Sequence, residues 1–149
     1  MSVGSVCNRV VVYIDKHESI RAAARLMQQS CVGDVVVAER VNGLNTPIAI
    51  LTDRDLVLEV IAEALDPDYL KVKDVISDFF IYVYEDEGIN EVLDRMEKHG
   101  VCRAAVTNKM GELVGIFTVD NLIASMAEQL GYAVPMMQRY QGQTEATRY

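Results

Sequence analysis

An internal repeat constrains this chain more than any other feature of its sequence. Residues 48–56, an apolar strand followed by polar residues and Leu, recur sixty-six positions later as residues 114–122. In that register Thr52 corresponds to Thr118, and Asp55 corresponds to Asn121. Self-similarity of this kind indicates two copies of one supersecondary unit, each of which buries its apolar face only by packing on a neighbour.

The earlier parts of the two halves also correspond, with a constant offset of sixty-nine residues from Val3 to Val37. The change of three residues in the offset falls in the loop before the motif strand. Apolar periodicity predicts the order strand, helix, strand, strand, helix in each half. The predicted strands are 10–14, 35–37 and 48–51 in the first half and 80–84, 104–106 and 113–117 in the second. The predicted fold class is therefore α/β (α+β), with β-α-β-β-α repeats at 1–66 and 67–131 and a tail at 132–149.

Composition excludes several classes of protein. Half of the 149 residues are hydrophobic, which is enough for a buried core, and the net charge is -8. That charge argues against a nucleic acid or an anionic membrane as the main partner, because both are bound through excess Lys and Arg. Cys7, Cys31 and Cys102 are odd in number and lack the spacing of zinc ligands. The N-terminus lacks the basic-then-apolar layout of a signal peptide, and no apolar run approaches the roughly 18 residues that span a bilayer, so we expect neither feature. We expect a cytoplasmic protein with no metal site.

The second helix of each half has a wider apolar face than the first. Because a helix that packs only on its own sheet needs about 100° of apolar arc, the wider face predicts a second surface to bury. We therefore expect a homodimer through the helices at 53–65 and 119–130. Gly131 and Pro135 are expected to end the last helix.

The motif that joins strand to helix has two interpretations. Thr52 and Asp55 have the spacing of a capping box, in which side chains and backbone N–H groups at a helix start satisfy one another. Alternatively, the free N–H groups and positive dipole of a helix start suit a phosphate, and a carboxylate beside them suits a vicinal diol. Together those features would suit a ribose phosphate.

The repeated pattern resembles a tandem cystathionine β-synthase (CBS) domain pair, also called a Bateman module, of the stand-alone bacterial type. The resemblance rests on Ala-Ile-Leu-Thr-Asp-Arg-Asp at 49–55, Gly-Ile-Phe-Thr-Val-Asp-Asn at 115–121 and Val-Lys-Asp-Val-Ile-Ser at 72–77. It covers about residues 1–131. It implies two small sheets and flanking helices packed about a pseudo-two-fold axis. It also implies an adenine nucleotide (AMP, ADP or ATP), or else NAD or S-adenosylmethionine, in clefts between the repeats.

The resemblance also implies roles for particular residues. Asp55 and Asn121 would hold ribose hydroxyls, and the Asp55 pocket is expected to hold ribose more tightly because a carboxylate accepts from both hydroxyls. The remaining candidates are ribose or phosphate contacts at Thr52, Thr118 and Asp120, a linker hydroxyl at Ser77, phosphate cations at Arg54 and Arg103, and adenine contacts at Val12, Ile81, Val36 and Ala105.

Two functions follow from these observations. The first is a regulatory sensor that binds an adenosine-containing ligand and regulates a partner protein that the sequence does not identify. The second is a ligand-free dimerisation or scaffold module, in which both motifs are only helix caps. An enzyme is not expected, because the sequence has no nucleophile paired with a base, no P-loop and no metal-ligand pattern.

Overall fold

A computed structural model describes the backbone of residues 1–146 and the side chains of residues 1–139. Within those residues the chain forms two three-stranded sheets with helices against them, which confirms the predicted fold class. The strands are β1 (Tyr13–Ile14), β2 (Asp34–Val41), β3 (Leu44–Thr52), β4 (Tyr82–Tyr84), β5 (Arg103–Thr107) and β6 (Leu113–Thr118). The helices are α1 (Ile20–Ser30), α2 (Asp53–Leu56), α3 (Val72–Val75), α4 (Ile89–His99) and α5 (Val119–Ala146), with a 3-10 turn at Val3–Ser5 and a π turn at Val57–Ile61.

The two sheets have the same topology. In each, the first strand is parallel to the second, and the second is antiparallel to the third. Each hairpin carries a bulge at the equivalent place, between Val37 and Ala38 and between Val106 and Thr107. The three extra residues of the first half lie in its longer hairpin. Its turn, Asn42-Gly43, has positive φ at both positions (52° and 81°), as a tight turn between twisted strands requires.

Three apolar clusters hold the fold together. One lies between the first sheet and its helices and includes Leu51, and a second lies in the equivalent place in the other half and includes Phe117. The third joins the two sheets through Val36, Ala105 and Ile116, which are all at least nine-tenths buried. Successive side chains of a strand point to opposite faces of the sheet. One residue therefore packs in the core of its own repeat, and the next packs against the other repeat.

Each repeat is completed by the segment that precedes the other repeat. Val3 is fully buried in the second core, where its N–H donates to the carbonyl of Glu87 (2.9 Å). Val72 is fully buried in the first core, where its N–H donates to the carbonyl of Glu18 (2.8 Å). Val3 and Val72 are sixty-nine residues apart, and so are Glu18 and Glu87. The two contacts are therefore equivalent, and a pseudo-two-fold axis relates the repeats. The repeat boundaries at 1–66 and 67–131 stay a prediction. Each boundary is crossed by packing, because Val3 lies in the second core and Val72 lies in the first.

The predicted end of the last helix is wrong. α5 runs through Gly131 and Pro135 to Ala146, so much of the expected tail at 132–149 is helical. A proline inside a helix removes the hydrogen bond to the carbonyl four residues earlier, which here belongs to Gly131. Because both residues are exposed, water is able to solvate that carbonyl. Residues 147–149 of the predicted tail lie outside the described residues.

The helix after the first motif also differs from the regular helix predicted as far as Leu65. α2 passes into the π turn, in which the N–H of Ala62 donates to the carbonyl five residues earlier, at Val57 (2.9 Å). Ala64 then adopts positive φ (54°) and ends the helical segment. The wider turn changes which residues face the sheet: Val60 is buried there, whereas Ile61 is 70% exposed.

Candidate ligand-binding cleft

A cavity of about 710 Å³ lies where the start of α5 faces the first repeat. Four of the predicted site residues line it together, all from the second repeat: Arg103, Thr118, Asp120 and Asn121. The first repeat contributes residues 31–34, and the N-terminal segment contributes Asn8. Thus the structure brings the second copy of the motif into one cavity between the repeats.

At the start of α5, one residue that lines the cavity has a side-chain oxygen without a hydrogen-bond partner among the described residues. The hydroxyl of Thr118 accepts from the N–H of Asn121 (3.1 Å), which is half of a capping box. The other half is missing, because the side-chain oxygen Oδ1 of Asn121 is covered and has no hydrogen-bond partner among the described residues. A covered polar oxygen without a partner is unfavourable by about 1–3 kcal/mol. A small rotation toward a ligand hydroxyl would satisfy it.

The first copy of the motif is a complete capping box. The N–H of Asp55 donates to the hydroxyl of Thr52 (3.2 Å), and the N–H of Thr52 donates to Oδ2 of Asp55 (2.8 Å). Thus the capping interpretation accounts for the first copy. Neither residue lines the cavity, and the exposed Arg54 also lies outside it.

The segments that precede the two repeats also differ in how closely they approach the sheets. Asn8 pairs with Ile116 on β6 through two backbone hydrogen bonds of 2.9 and 3.0 Å. That approach requires Gly115, because a Cβ there would lie 2.8 Å from Sγ of Cys7 and 3.1 Å from the carbonyl oxygen of Asn8. The repeat counterpart of Gly115 is Ala49, which carries such a Cβ.

The linker of the second repeat accordingly stays away from the first sheet. Ser77, the counterpart of Asn8, forms no bridge to Ile50 among the described residues. It is exposed, and its hydroxyl accepts from the N–H of Phe79 (3.1 Å) within its own turn. The predicted contact between Ser77 and a phosphate stays a prediction, whereas Asn8 already lines a cavity.

Arg103, the predicted phosphate cation of this cavity, has a partner within the protein. Its Nε donates to Oδ2 of Asp34 at 2.5 Å, and the two side chains are 40% and 20% exposed. Asp34 and Arg103 occupy the same position in the two repeats, so the ion pair lies across the pseudo-two-fold axis. Asp34 therefore carries a second negative charge into the cavity beside Asp120.

The four predicted adenine contacts lie beside the contact between the sheets. Val36 and Ala105 are buried there, and their N–H groups donate to the carbonyls of Val12 (3.0 Å) and Ile81 (3.1 Å). Val12 packs on the first core and Ile81 lies within the second. None of the four lines the cavity. Their contact with adenine stays a prediction.

Sequence reasoning did not include four polar or thiol groups of the cavity. Asn8 and Asp34 had a signal, because each is the repeat counterpart of a predicted site residue. Cys31 and Cys102 had none, because lone thiols carry no ligand pattern; both are exposed at the cavity. Cys7 lies under β6, and burial raises the pKa of its thiol above the ordinary value.

The described residues contain neither a candidate metal site nor a helix able to span a membrane. Among the side chains that the structure describes, no cluster of three or more His, Cys, Asp or Glu is arranged to hold a metal ion. Over residues 1–146, no helix combines the length and the apolar character needed to cross a bilayer. The expected cytoplasmic location stays a prediction.

Known proteins resemble this chain in sequence and in fold. An uncharacterized protein of Methanopyrus kandleri is 33% identical over 123 residues, which are 83% of this chain and 61% of that protein. Hypoxic response protein 1 of Mycobacterium tuberculosis is 31% identical over 126 residues, which are 83% of both chains. This chain thus spans less than two thirds of the first of these relatives and most of the second.

A solved structure extends the comparison to a ligand complex. A CBS domain protein of Pyrobaculum aerophilum, complexed with AMP, superposes with a TM-score of 0.75 and 26% identity. The match covers 90% of this chain and 99% of that one. The CBS domain family itself matches twice, over residues 3–62 and 72–128. Because those two segments cover more than half of the sequence and coincide with the two repeats of the fold, the chain belongs to the CBS domain family and carries two of its domains in tandem.

Proposed function

We propose that this protein is a regulatory module that binds an adenosine-containing ligand in the cavity at the start of α5. The observation that carries the proposal is the meeting of Thr118, Asn121 and Arg103 with Asn8 around one cavity of about 710 Å³. Ligand sites of small molecules have volumes of roughly 300–1,000 Å³. The related protein of Pyrobaculum aerophilum, whose structure is complexed with AMP, supports an adenosine-containing ligand.

The side chains of the cavity suit different parts of such a ligand. Asn121 offers an oxygen without a partner and an amide group, which suit the two hydroxyls of a ribose. Thr118 offers a hydroxyl at the helix start, where the dipole attracts partial negative charge. Arg103 lies beside Thr118 in the strand register and is the basic side chain that lines the cavity, so it suits a 5′ substituent that accepts hydrogen bonds.

The apolar helix faces support a role for pairing in regulation. Val57 and Ile61 in the first repeat and Ile123 and Met126 in the second are each at least half exposed in the single chain. Covering such faces is favourable at about 25 cal/mol per Å² of apolar surface. A homodimer through the helices at 53–65 and 119–130 would cover them, and a ligand held between the repeats would change how those helices present their faces.

Sedimentation of a doubly substituted protein tests the pairing. In Ile61→Glu with Ala127→Glu, both charges lie on the proposed interface, and burying an unpaired charge is unfavourable by several kcal/mol. We expect a folded monomer, because both positions are exposed in the single chain. An intact dimer would refute this interface, and Glu97→Gln on the exposed part of α4 serves as the control.

Thermal unfolding against a panel of AMP, ADP, ATP, NAD, S-adenosylmethionine and adenosine tests ligand binding. A ligand at 100 times its dissociation constant stabilises by about 2.7 kcal/mol. At roughly 2–4 °C per kcal/mol for a chain of this size, the shift is easily measured. No shift with any member would contradict the proposal.

Alkylation of the cysteines locates the ligand. Cys31 and Cys102 are exposed and line the cavity, whereas Cys7 is partly buried beneath β6. A bound ligand should slow the reaction of both exposed thiols with iodoacetamide, as followed by peptide mass spectrometry. Cys7 should react slowly with or without ligand, because its thiolate forms at higher pH. A stabilising ligand that protects neither exposed thiol would move the site elsewhere.

A second candidate is a ligand-free dimerisation module. The complete capping box at Thr52 and Asp55 favours it, because this copy of the motif is fully used within the protein. So do the exposed apolar helix faces. This candidate predicts a dimer that no member of the ligand panel stabilises, so the same experiments separate the two functions.

A further inference from the structure

We propose that Asp34 is a specificity-determining residue, which holds Arg103 as an internal counterion and makes the cavity prefer adenosine derivatives with a neutral or cationic 5′ group over those with phosphates. The inference rests on the proposed function, since it names the class of ligand for that site. It assigns a role to a residue whose only sequence signal is its place opposite Arg103 in the repeat.

The ion pair is fixed by the strands that carry it. Asp34 begins β2, where it pairs with Thr52, and Arg103 begins β5, where it pairs with Thr118. The backbone of both residues is thus held by a sheet, and their side chains meet with Nε and Oδ2 at 2.5 Å. A phosphate oxygen that takes this Nε must displace the carboxylate of Asp34, whose backbone stays in place in the sheet.

The charges around the cavity disfavour an anion. Asp34 and Asp120 each contribute one negative charge, and among the residues that line the cavity Arg103 is the single basic side chain. The start of α5 adds about half a positive charge, which leaves the wall at about −0.5. A phosphate monoester brings about −1.5 to −2 at pH 7. A thioether brings no charge, and a sulfonium brings a positive one.

The wild-type protein provides the first test, by calorimetric titration with adenosine, 5′-methylthioadenosine, S-adenosylmethionine, AMP and ATP at one ionic strength. We expect adenosine, methylthioadenosine and S-adenosylmethionine to bind at least as tightly as AMP, and ATP to bind most weakly. Tighter binding of AMP or ATP than of adenosine would overturn the inference and leave the proposed function intact. Binding of none of the five would overturn the proposed function and this inference with it.

Substitution of Asp34 provides the second test. Asp34→Asn keeps an oxygen that accepts from Arg103 but removes the charge, so AMP should bind about tenfold more tightly, a change of about 1.4 kcal/mol. The affinity for adenosine should change by less than about twofold. Asp86→Asn is the matched control: Asp86 is exposed, faces Lys109 at 3.8 Å and does not line the cavity. If the affinity for AMP rose equally in both variants, the effect would come from the net charge of the protein, and the role of Asp34 would be overturned.

A double-mutant cycle makes the mechanism specific. Arg103→Ala should weaken AMP binding more in the Asp34→Asn background than in the wild-type protein, because in the former no neighbouring carboxylate neutralises the charge of Arg103. Additive effects would contradict competition between Asp34 and phosphate for Arg103. Should Asp34→Asn fail to fold, Asp34→Ser removes the same charge with a smaller group, and the wild-type ranking stands without either variant.

Discussion

The two copies of the strand-to-helix motif share a residue order but use their side chains differently. In the first repeat, the carboxylate of Asp55 is bound by the N–H of Thr52 at 2.8 Å. In the second, Oδ1 of Asn121 has no partner, and the residue faces a cavity. The spacing of a motif thus fixes where a polar side chain lies on a helix. Its local partners decide whether that side chain is free to bind a ligand.

The difference extends to the neighbouring segments. A glycine on β6 allows the N-terminal segment to approach, and Asn8 enters the wall of the cavity. An alanine at the equivalent place on β3 accompanies a linker that stays away, and among the described residues the hydroxyl of Ser77 bonds within its own turn. The close approach that Gly115 permits is therefore present at β6 and has no counterpart at β3 among the described residues.

The largest expected effect comes from adding the missing methyl group to the second repeat. Gly115→Ala would place a Cβ 2.8 Å from Sγ of Cys7 and 3.1 Å from the carbonyl oxygen of Asn8. The segment must shift, and overpacking of this kind is unfavourable by about 1–3 kcal/mol. We expect a lower free energy of unfolding in urea and a loss of ligand binding at this cavity.

The reciprocal change is the control for that experiment. Ala49→Gly removes the methyl group from the first repeat and should destabilise by roughly 0.5–1 kcal/mol, the usual effect of glycine within regular structure. If Gly115→Ala were no more harmful than Ala49→Gly, the close approach of Asn8 to β6 would not be what distinguishes the two sites.

A middle-sized effect is expected from removing the two motif side chains in turn. Asp55→Ala leaves the N–H of Thr52 without its acceptor, and loss of a helix cap is unfavourable by about 0.5–2 kcal/mol. Asn121→Ala removes a covered oxygen that has no partner among the described residues, so the variant should be at least as stable as the wild-type protein, by up to about 1–3 kcal/mol.

Ligand binding should respond in the opposite order. Titration with adenosine should give a clear loss for Asn121→Ala and little change for Asp55→Ala, because only Asn121 lines the cavity. A variant of Asp55 that remains folded but loses the ligand would restore the ribose role that the sequence predicts for this residue.

The internal repeat made much of the fold predictable from the sequence. Two features were not predictable: the end of α5 and an ion pair between the repeats. The strand and helix order followed from apolar periodicity, and the hairpin with three extra residues followed from the change in offset. The end of α5 did not follow, because Pro135 is tolerated only where water reaches the freed carbonyl. The ion pair between Asp34 and Arg103 did not follow either. Sequence reasoning recognised them as counterparts, but their contact depends on how the two repeats face each other.

The smallest expected effect comes from Asn121→Asp, which converts the second motif into the first. The sequence alone favours tighter ribose binding, because a carboxylate accepts from both hydroxyls. The structure gives a reason for the opposite result: in the first repeat the carboxylate is taken by a backbone N–H, and here it would add a third negative charge beside Asp34 and Asp120. We expect stabilisation by about 0.5 kcal/mol, as a completed cap provides. Adenosine should bind severalfold more weakly, and AMP should lose more than adenosine. Urea unfolding and calorimetric titration of the same preparation decide between the two arguments, since tighter adenosine binding without stabilisation would mean that the carboxylate is free and holds the ribose.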